Sequence, residues 1–166
     1  MAAKNGIKER HMEKQYNIEN KRERERLHKL VNELTDEELN LVIYKEGWTV
    51  AAALAHVAFW DKWRTVLMRK WTQNKQIPLG TLDLEEYNTF NDSILPFLLE
   101  IPPRKAAELS VIAAETVDRE LETASSALIQ AIEASGYARG LDRSVHRKMH
   151  LDEIEALLKT RRSDGS

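Results

Sequence analysis

The chain has 166 residues, of which 42% are hydrophobic and 31% charged, a balance typical of one globular domain. Its formal net charge of −2 does not suggest a basic surface of the kind that binds nucleic acid or a membrane. Cysteine is absent, which excludes disulfides, thiolate metal ligands and cysteine nucleophiles, and no apolar run approaches the roughly 20 residues of a transmembrane helix. We therefore expect a cytoplasmic protein that binds neither nucleic acid nor membranes.

Charges of both signs dominate the N-terminal part of the chain. We expect residues 1–16 to form a polar arm or helix extension, residues 17–161 the folded domain and residues 162–166 a polar tail. The mixed charges of residues 20–29 are typical of a solvated helix face. Helical spacing follows in the apolar residues Leu27, Leu30, Val31 and Leu34.

A capping box and a second, longer helix come next. Thr35 or Asp36 can cap a short turn, with Glu38 placed three residues after Thr35. Gly47 then interrupts the chain, and Thr49 is a suitable N-cap for a helix of about 22 residues that contains no Gly or Pro.

This second helix, residues 50–71, is apolar around much of its circumference. One face carries Phe59, Trp60 and Trp63, and the opposite side carries mainly aliphatic residues next to Asp61, which we expect to be a surface or interhelix charge. Such a helix is either central in the fold or also contacts a partner subunit. A homodimer is therefore one expectation.

Two further long helices complete the predicted fold. Residues 72–105 contain five Pro or Gly residues and predict a long crossover with one short helix within 83–95. A third helix is expected from near Pro103 to near Gly136, and a fourth from about Asp142 to Arg161. Four long amphipathic segments without a convincing strand predict an all-α four-helix bundle.

Three histidines are candidates for a metal site. His146 and His150 stand four residues apart and so share one face of the fourth helix, while His56 lies on the aromatic face of the second. Neutral imidazoles from two helices would suit zinc, and also nickel, copper or iron(II), and three ligands leave a position open. The alternative is that each is a hydrogen-bonded core histidine.

The order of several short motifs resembles that of a known family. "ERLHKLVNELTDEELN" precedes "GWTV", which is followed by "AHVAFWDKWR", by "YNTFND" in the crossover, and by H-x-x-x-H-L-x-E-I on the last helix. Together they resemble the DinB-like superfamily of small bacterial bundle proteins, which includes YfiT-type hydrolases and is distinct from the DNA polymerase of similar name.

The resemblance covers most of residues 17–160 and has several implications. It implies an up-down-down-up four-helix bundle with a long crossover between helices 2 and 3. It implies a divalent metal, most simply zinc or nickel, held at His56, His146 and His150. Some similar proteins are thiol-dependent transferases or isomerases, so a low-molecular-weight thiol is a possible co-substrate.

Several other polar and aromatic residues are candidates for the same site. Glu153 shares the face of the two late histidines, where it could accept from an imidazole, ligate the metal or act as a base; otherwise it is a surface carboxylate. Walls of a substrate pocket could come from the residues Trp60, Trp63, Asn88, Asn91 and Asp92, although aromatic stripes are commonly core and Asn and Asp are ordinary turn residues.

Two functions are compatible with this sequence. The first is a metal-dependent hydrolase or thiol S-transferase, in which water or a small thiol attacks an electrophilic small molecule. The second is a non-catalytic metal-binding bundle or a stress-related interaction protein. Elemental analysis and a screen for turnover would separate them.

Overall fold

The computed structural model describes residues 14–74, 83–136 and 138–164, and this part of the chain is all-helical apart from turns and one isolated β-bridge, as predicted. The first 13 residues of the predicted arm, residues 75–82 of the crossover and residues 165–166 of the tail lie outside the described residues. The α-helices are α1 (Gln15–Glu33), α2 (Asp36–Leu39), α3 (Val50–Asn74), α4 (Leu84–Leu99), α5 (Pro103–Thr123), α6 (Ser126–Ala134) and α7 (Ser144–Asp164).

Helix α3 lies at the centre of the fold. Thr49 caps it as predicted, since its hydroxyl accepts a hydrogen bond from the backbone N–H of Ala52 at 3.0 Å. The helix packs against α2, α4, α5 and α7. Its second apolar side is therefore covered within the chain, by burial of the side chains Val50, Leu54, Val57 and Met68. Packing within the chain therefore already accounts for the apolar character of α3. The homodimer, which was inferred from that character, stays a prediction.

The first two helices confirm part of the sequence prediction. Thr35 and Glu38 form the expected capping box, and the four apolar residues at the end of α1 are buried. The solvated face predicted for residues 20–29 is wrong at two positions, because Asn20 and Glu23 are also buried. The reason is that α1 packs against both α5 and α7, so more than its apolar stripe is covered.

The crossover helix and the predicted third helix differ from the prediction by more than a shift of their ends by a few residues. Helix α4 is longer than expected because Asp83 and Glu86 form a capping box and Pro96 is accommodated within the helix. The single third helix is wrong: the chain leaves the helical conformation at Ala124, and the Ser125 side chain caps α6 by accepting from the N–H of Leu128 at 3.2 Å. Gly136, with φ of 79°, follows the end of α6.

A polar layer separates two apolar clusters of the core. The first cluster joins the ends of α1 and α7 to the first turns of α3, and the second surrounds Met68 and Trp71 near the other end of α3. His56 and Asp61 lie between the two clusters along α3, and both are buried. No helix in the described ranges is long and apolar enough to cross a membrane.

Asn20 fixes the start of α7 against α1. Its Nδ2 donates to the carbonyl of Leu141 at 2.9 Å, and its Oδ1 accepts from the backbone N–H groups of Arg143 (2.7 Å) and Ser144 (2.9 Å). A buried side chain of α1 thus satisfies backbone groups that a helix start leaves without intrahelical partners. This contact sets the position of the α7 turn that carries His146.

We expect Asn20→Ala to destabilise the protein by about 2–3 kcal/mol, because it leaves buried backbone groups without partners. Urea denaturation followed by circular dichroism measures the change. Asn32→Ala, on the exposed side of the same helix, is the control and should change the free energy of unfolding by about 0.5 kcal/mol or less. Equal effects of the two variants would contradict the capping role of Asn20.

Candidate metal centre

The three predicted histidines converge on one point between α3 and α7. The Nε2 atoms of His56 and His146 are 3.2 Å apart, and the ring centroids of His146 and His150 are 4.8 Å apart. One nitrogen from each ring lies within 4.8 Å of a nitrogen from the other two. The i,i+4 spacing on α7 therefore delivers two imidazoles to the same side of the helix, where His56 meets them.

All three imidazoles are held in the neutral form. Burial, together with the nearby His150 and Arg143, lowers the pKa of His56 from 6.5 to about 3. Burial also lowers the pKa of His146 well below its ordinary value, with the same two groups adding to the effect. For His150, burial lowers the pKa although Glu153 acts in the opposite direction. Neutral imidazoles keep the lone pair that a metal ion requires.

The donor set fits a divalent metal ion. Tetrahedral zinc with nitrogen ligands at 2.0–2.1 Å places those ligands about 3.3 Å apart, close to the 3.2 Å between the Nε2 atoms of His56 and His146. The Nε2 atom of His150 is buried and has no hydrogen-bond partner. A buried polar atom without a partner is costly, and an ion at this point would satisfy it.

The Nδ1 edge of His150 faces two polar side chains. Its Nδ1 lies 3.0 Å from the Tyr44 hydroxyl, which also forms a short hydrogen bond with Glu153. Burial and the Glu153 carboxylate raise the pKa of Tyr44. Glu153 itself is 43% exposed, and its Oε2 lies 3.6 Å from Nδ1 of His150. Its partner is a tyrosine, in contrast to the Lys or Arg of an ordinary surface ion pair.

A buried ion network lies directly beside His146. The Nη2 atom of Arg143 is 3.5 Å from His146 Nδ1, and its Nε donates to Asp61 Oδ1 at 2.8 Å. Asp61 also accepts from Arg147 Nε at 2.9 Å, and Arg147 contacts Asp118 at 2.8 and 3.0 Å. Asp61 is fully buried, so the surface alternative for this residue is wrong and the interhelix alternative is correct.

A cavity of about 390 Å³ opens onto the histidines. Among the predicted residues, the cavity is lined by His56 and His150 and, from α4, by Asn88, Asn91 and Asp92. Three residues of the turn before α3 complete the lining: Tyr44, Glu46 and Trp48. The volume suits a small molecule, and the walls combine aromatic rings, amides and carboxylates.

The two candidate tryptophans have different positions. The edge of Trp60 meets His56, with ring centroids 6.3 Å apart, and its Nε1 donates to Asn91 Oδ1 at 3.2 Å. Trp63 packs on Trp60 and on Phe90 of α4 and is 43% exposed. Neither tryptophan is among the residues that line the cavity. Trp60 therefore joins α4 to the histidine centre, whereas Trp63 lies outside it.

Tyr44, Trp48 and Arg143 are site residues that sequence reasoning missed. The indole of Trp48 meets the His56 ring edge-on, with centroids 5.4 Å apart. Their signals were weak: Tyr44 and Trp48 flank a glycine turn, and Arg143 stands three residues before His146. Nothing local indicated that the turn before α3 would face α7.

The stability of the metal-free protein should fall as the pH is lowered from about 6.5. In this range the unfolded chain protonates its histidines, whereas folded His56 stays neutral until the pH approaches 3. Fewer protons are bound in the folded state, so the free energy of unfolding decreases with falling pH, by about 2 kcal/mol at pH 5 from His56 alone. Urea denaturation at pH 7 and pH 5, in the presence of a chelator, measures the decrease.

His56→Gln is the control for this pH dependence, because carboxylates also titrate near pH 5. The variant should lose less stability than the wild type between pH 7 and pH 5. An identical loss in both proteins would show that His56 is not buried in its neutral form.

Comparison with known protein families identifies a match over most of the chain. The family model described as the DinB superfamily matches residues 19–158 of the chain. No curated protein and no solved structure shows significant similarity to this chain. The matched range includes all three histidines and the turn that contains Tyr44 and Trp48.

Proposed function

Because the chain belongs to the DinB superfamily, we propose that it is a metal-dependent enzyme with a divalent ion at His56, His146 and His150. The reaction is the attack of water or a small thiol on an electrophilic small molecule, as in a hydrolase or a thiol S-transferase. The observation that carries this proposal is the convergence of three neutral imidazoles, two of them buried and one partly buried, beside a cavity of substrate size.

A bound divalent ion would lower the pKa of water or of a thiol and polarise an oxygen of the substrate. Zinc and nickel both accept three imidazole nitrogens, and we propose one of them as the cofactor. Three protein ligands leave a position for the nucleophile, the pattern of catalytic sites and not of structural ones.

The cavity residues of this chain would bind the substrate and move the proton. The side chains of Asn88 and Asn91 offer hydrogen bonds that orient a polar substrate, and the indole of Trp48 excludes water from the imidazoles. Asp92 or Glu46 would take the proton of the nucleophile and return it to the leaving group. These carboxylates and the absence of Lys or Arg among the described lining residues favour neutral or cationic substrates and a neutral thiol over anionic ones.

The finer features of the fold belong to the same proposal. We propose the up-down-down-up bundle that the family resemblance implies, built from α1, α3, α5 and α7. Its support is that α5 packs on both α1 and α3, and that α7 packs on the same two helices. The homodimer and the cytoplasmic location remain predictions, and size-exclusion chromatography at micromolar concentration would test the first of them.

Elemental analysis of untagged, purified protein tests the metal site. We expect about one zinc or nickel ion per chain in the wild type, and none in the variant in which all three histidines are alanine. Absence of a stoichiometric divalent ion from the wild type, also after incubation with excess Zn²⁺ or Ni²⁺, would contradict the proposal.

A substrate screen separates the enzyme from the non-catalytic bundle. The metal-loaded protein is assayed with ester and amide substrates and with thiol–electrophile pairs that include neutral and anionic thiols. Turnover that a chelator abolishes supports the enzyme. If chelation lowers the melting temperature but no substrate reacts, the metal has a structural role and the second function is correct.

A further inference from the structure

The Tyr44 hydroxyl lies between the imidazole of His150 and the carboxylate of Glu153. We propose that Tyr44 is a positioning residue that, with Glu153, holds His150 in the tautomer with its proton on Nδ1 and its lone pair on Nε2. The proposal rests on the proposed metal site for its purpose, although the tautomer itself is a property of the metal-free protein.

The direction of the hydrogen bonds follows from the chemistry of the three groups. An ionised carboxylate only accepts hydrogen bonds, so the single hydroxyl proton of Tyr44 is donated to Glu153 Oε2. The hydroxyl oxygen then accepts from His150 Nδ1, which lies 3.0 Å away. A neutral imidazole has one N–H group, and its use at Nδ1 leaves Nε2 as the lone-pair atom.

The surroundings of Nε2 agree with this assignment. Nε2 of His150 is buried and has no hydrogen-bond partner, and one nitrogen of this ring lies within 4.8 Å of a nitrogen of His56 and of His146. A proton on that atom would be a buried donor without an acceptor. The other tautomer would also place the Nδ1 lone pair against a hydroxyl whose proton already binds Glu153.

A short turn brings Tyr44 to the site. The backbone N–H of Gly47 donates to the carbonyl of Tyr44 at 3.2 Å, and Gly47 adopts a φ of 86°, which favours glycine. An isolated β-bridge between Val42 and Thr49 closes the turn immediately before α3. The same turn thus contacts a ligand on each helix: Tyr44 reaches His150 on α7, and Trp48 packs on His56 of α3.

Glu153 alone does not replace the hydroxyl in the observed geometry. Its Oε2 is 3.6 Å from His150 Nδ1, which is longer than a hydrogen bond. Removing the hydroxyl therefore leaves Nδ1 without a well-placed acceptor and allows the Nε2–H tautomer to form. Metal binding must then reverse that tautomer.

Nitrogen-15 NMR of histidine-labelled, chelator-treated protein reads the tautomer directly. In the wild type we expect the His150 proton on Nδ1, and in Tyr44→Phe a mixture of the two tautomers. A wild-type proton on Nε2, or an unchanged tautomer in Tyr44→Phe, would overturn the proposal. Circular dichroism confirms that the variant is folded.

Titration with Zn²⁺ in competition with a chelator supplies the second measurement. We expect Tyr44→Phe to bind Zn²⁺ about 10-fold more weakly, in the range known for partners of metal-ligating histidines. Tyr16→Phe, which removes a half-buried hydroxyl far from the site, is the matched control and should bind as the wild type does. Glu153→Gln retains an acceptor oxygen at this exposed position. We therefore expect it to weaken Zn²⁺ binding less than Glu153→Ala does.

The two measurements distinguish the positioning role from the metal site itself. Equal Zn²⁺ affinity in the wild type and Tyr44→Phe overturns the positioning role and leaves the proposed function intact. No Zn²⁺ or Ni²⁺ binding by the wild type overturns the proposed function, and the NMR result then decides whether Tyr44 sets the tautomer of His150.

Discussion

His146→Ala should weaken Zn²⁺ binding by at least about 100-fold, because it leaves two imidazoles at a centre that needs three. The Nε2 atoms of His146 and His56 lie 3.2 Å apart, a separation suited to two ligands of one ion. The remaining pair cannot surround an ion, and its other positions would be filled by water. Isothermal titration in the presence of a competing chelator measures the affinity.

Thermal denaturation gives an independent measurement of the same effect. At a Zn²⁺ concentration 100 times the dissociation constant of the wild type, a single site adds about 2.7 kcal/mol to the free energy of unfolding of the wild type. We expect this increase in the wild type and not in His146→Ala. Comparing each protein with and without metal separates this effect from any change in the stability of the metal-free variant.

His28→Ala is the matched control for the loss of a histidine. His28 lies on the exposed side of α1, where Asn32 is its hydrogen-bond partner, so its replacement should leave Zn²⁺ binding unchanged. Stoichiometric Zn²⁺ binding with wild-type affinity in His146→Ala would show that the histidine cluster is not the metal site.

Arg147→Ala should destabilise the protein by about 3–5 kcal/mol, because it removes the buried guanidinium that pairs with two buried carboxylates and leaves Asp61 with Arg143 and Asp118 with Arg24 as the remaining charge partners. Arg147 is fully buried, and its guanidinium contacts Asp61 on α3 and Asp118 on α5. It also donates to the backbone carbonyls of Asn20 (3.2 Å) and Ala114 (3.4 Å), so one side chain connects α7 to three other helices. Urea or thermal denaturation measures the loss, which corresponds to a melting temperature lower by about 10 °C or more.

Lys148→Ala is the neighbouring control. Lys148 pairs with Asp152 on the exposed surface of α7, and exposed pairs of this kind contribute little to stability. Arg147→Lys should fall between the two, since it retains the charge but loses the paired geometry of the guanidinium. A loss of less than about 1 kcal/mol in Arg147→Ala would show that the buried network does not hold the four helices together.

The local features of this chain were predictable from the sequence because their causes lie within a few residues. The capping box at Thr35, the cap at Thr49 and the helical position of Pro103 each depend on neighbours within one turn. The break after α5 was missed although its cause is local. The apolar residues on both sides of Ser125 keep the helical spacing, which predicts one continuous helix. The hydrogen bond that Ser125 accepts as a cap starts a new helix instead.

The candidate site was predictable in part. The spacing of His146 and His150 required one face of one helix, whereas the meeting of that face with His56 was supported by resemblance to a family and not by spacing. Tyr44 escaped prediction because its contact with His150 spans 106 residues of sequence. A tyrosine beside a glycine turn has no pattern that would reveal such a partner.

The sequence by itself determined the all-α class, most helix starts and the identity of the three imidazoles, since caps and the 3.6-residue period act locally. Only the tertiary structure decided which polar residues are buried. Asn20 and Asp61 look like ordinary surface residues in the sequence, yet both are buried by partners in α7 or in the residue before it that lie 82 to 124 residues away. Burial of a polar group requires a partner that satisfies its hydrogen bonds, and the packing of distant helices provides that partner.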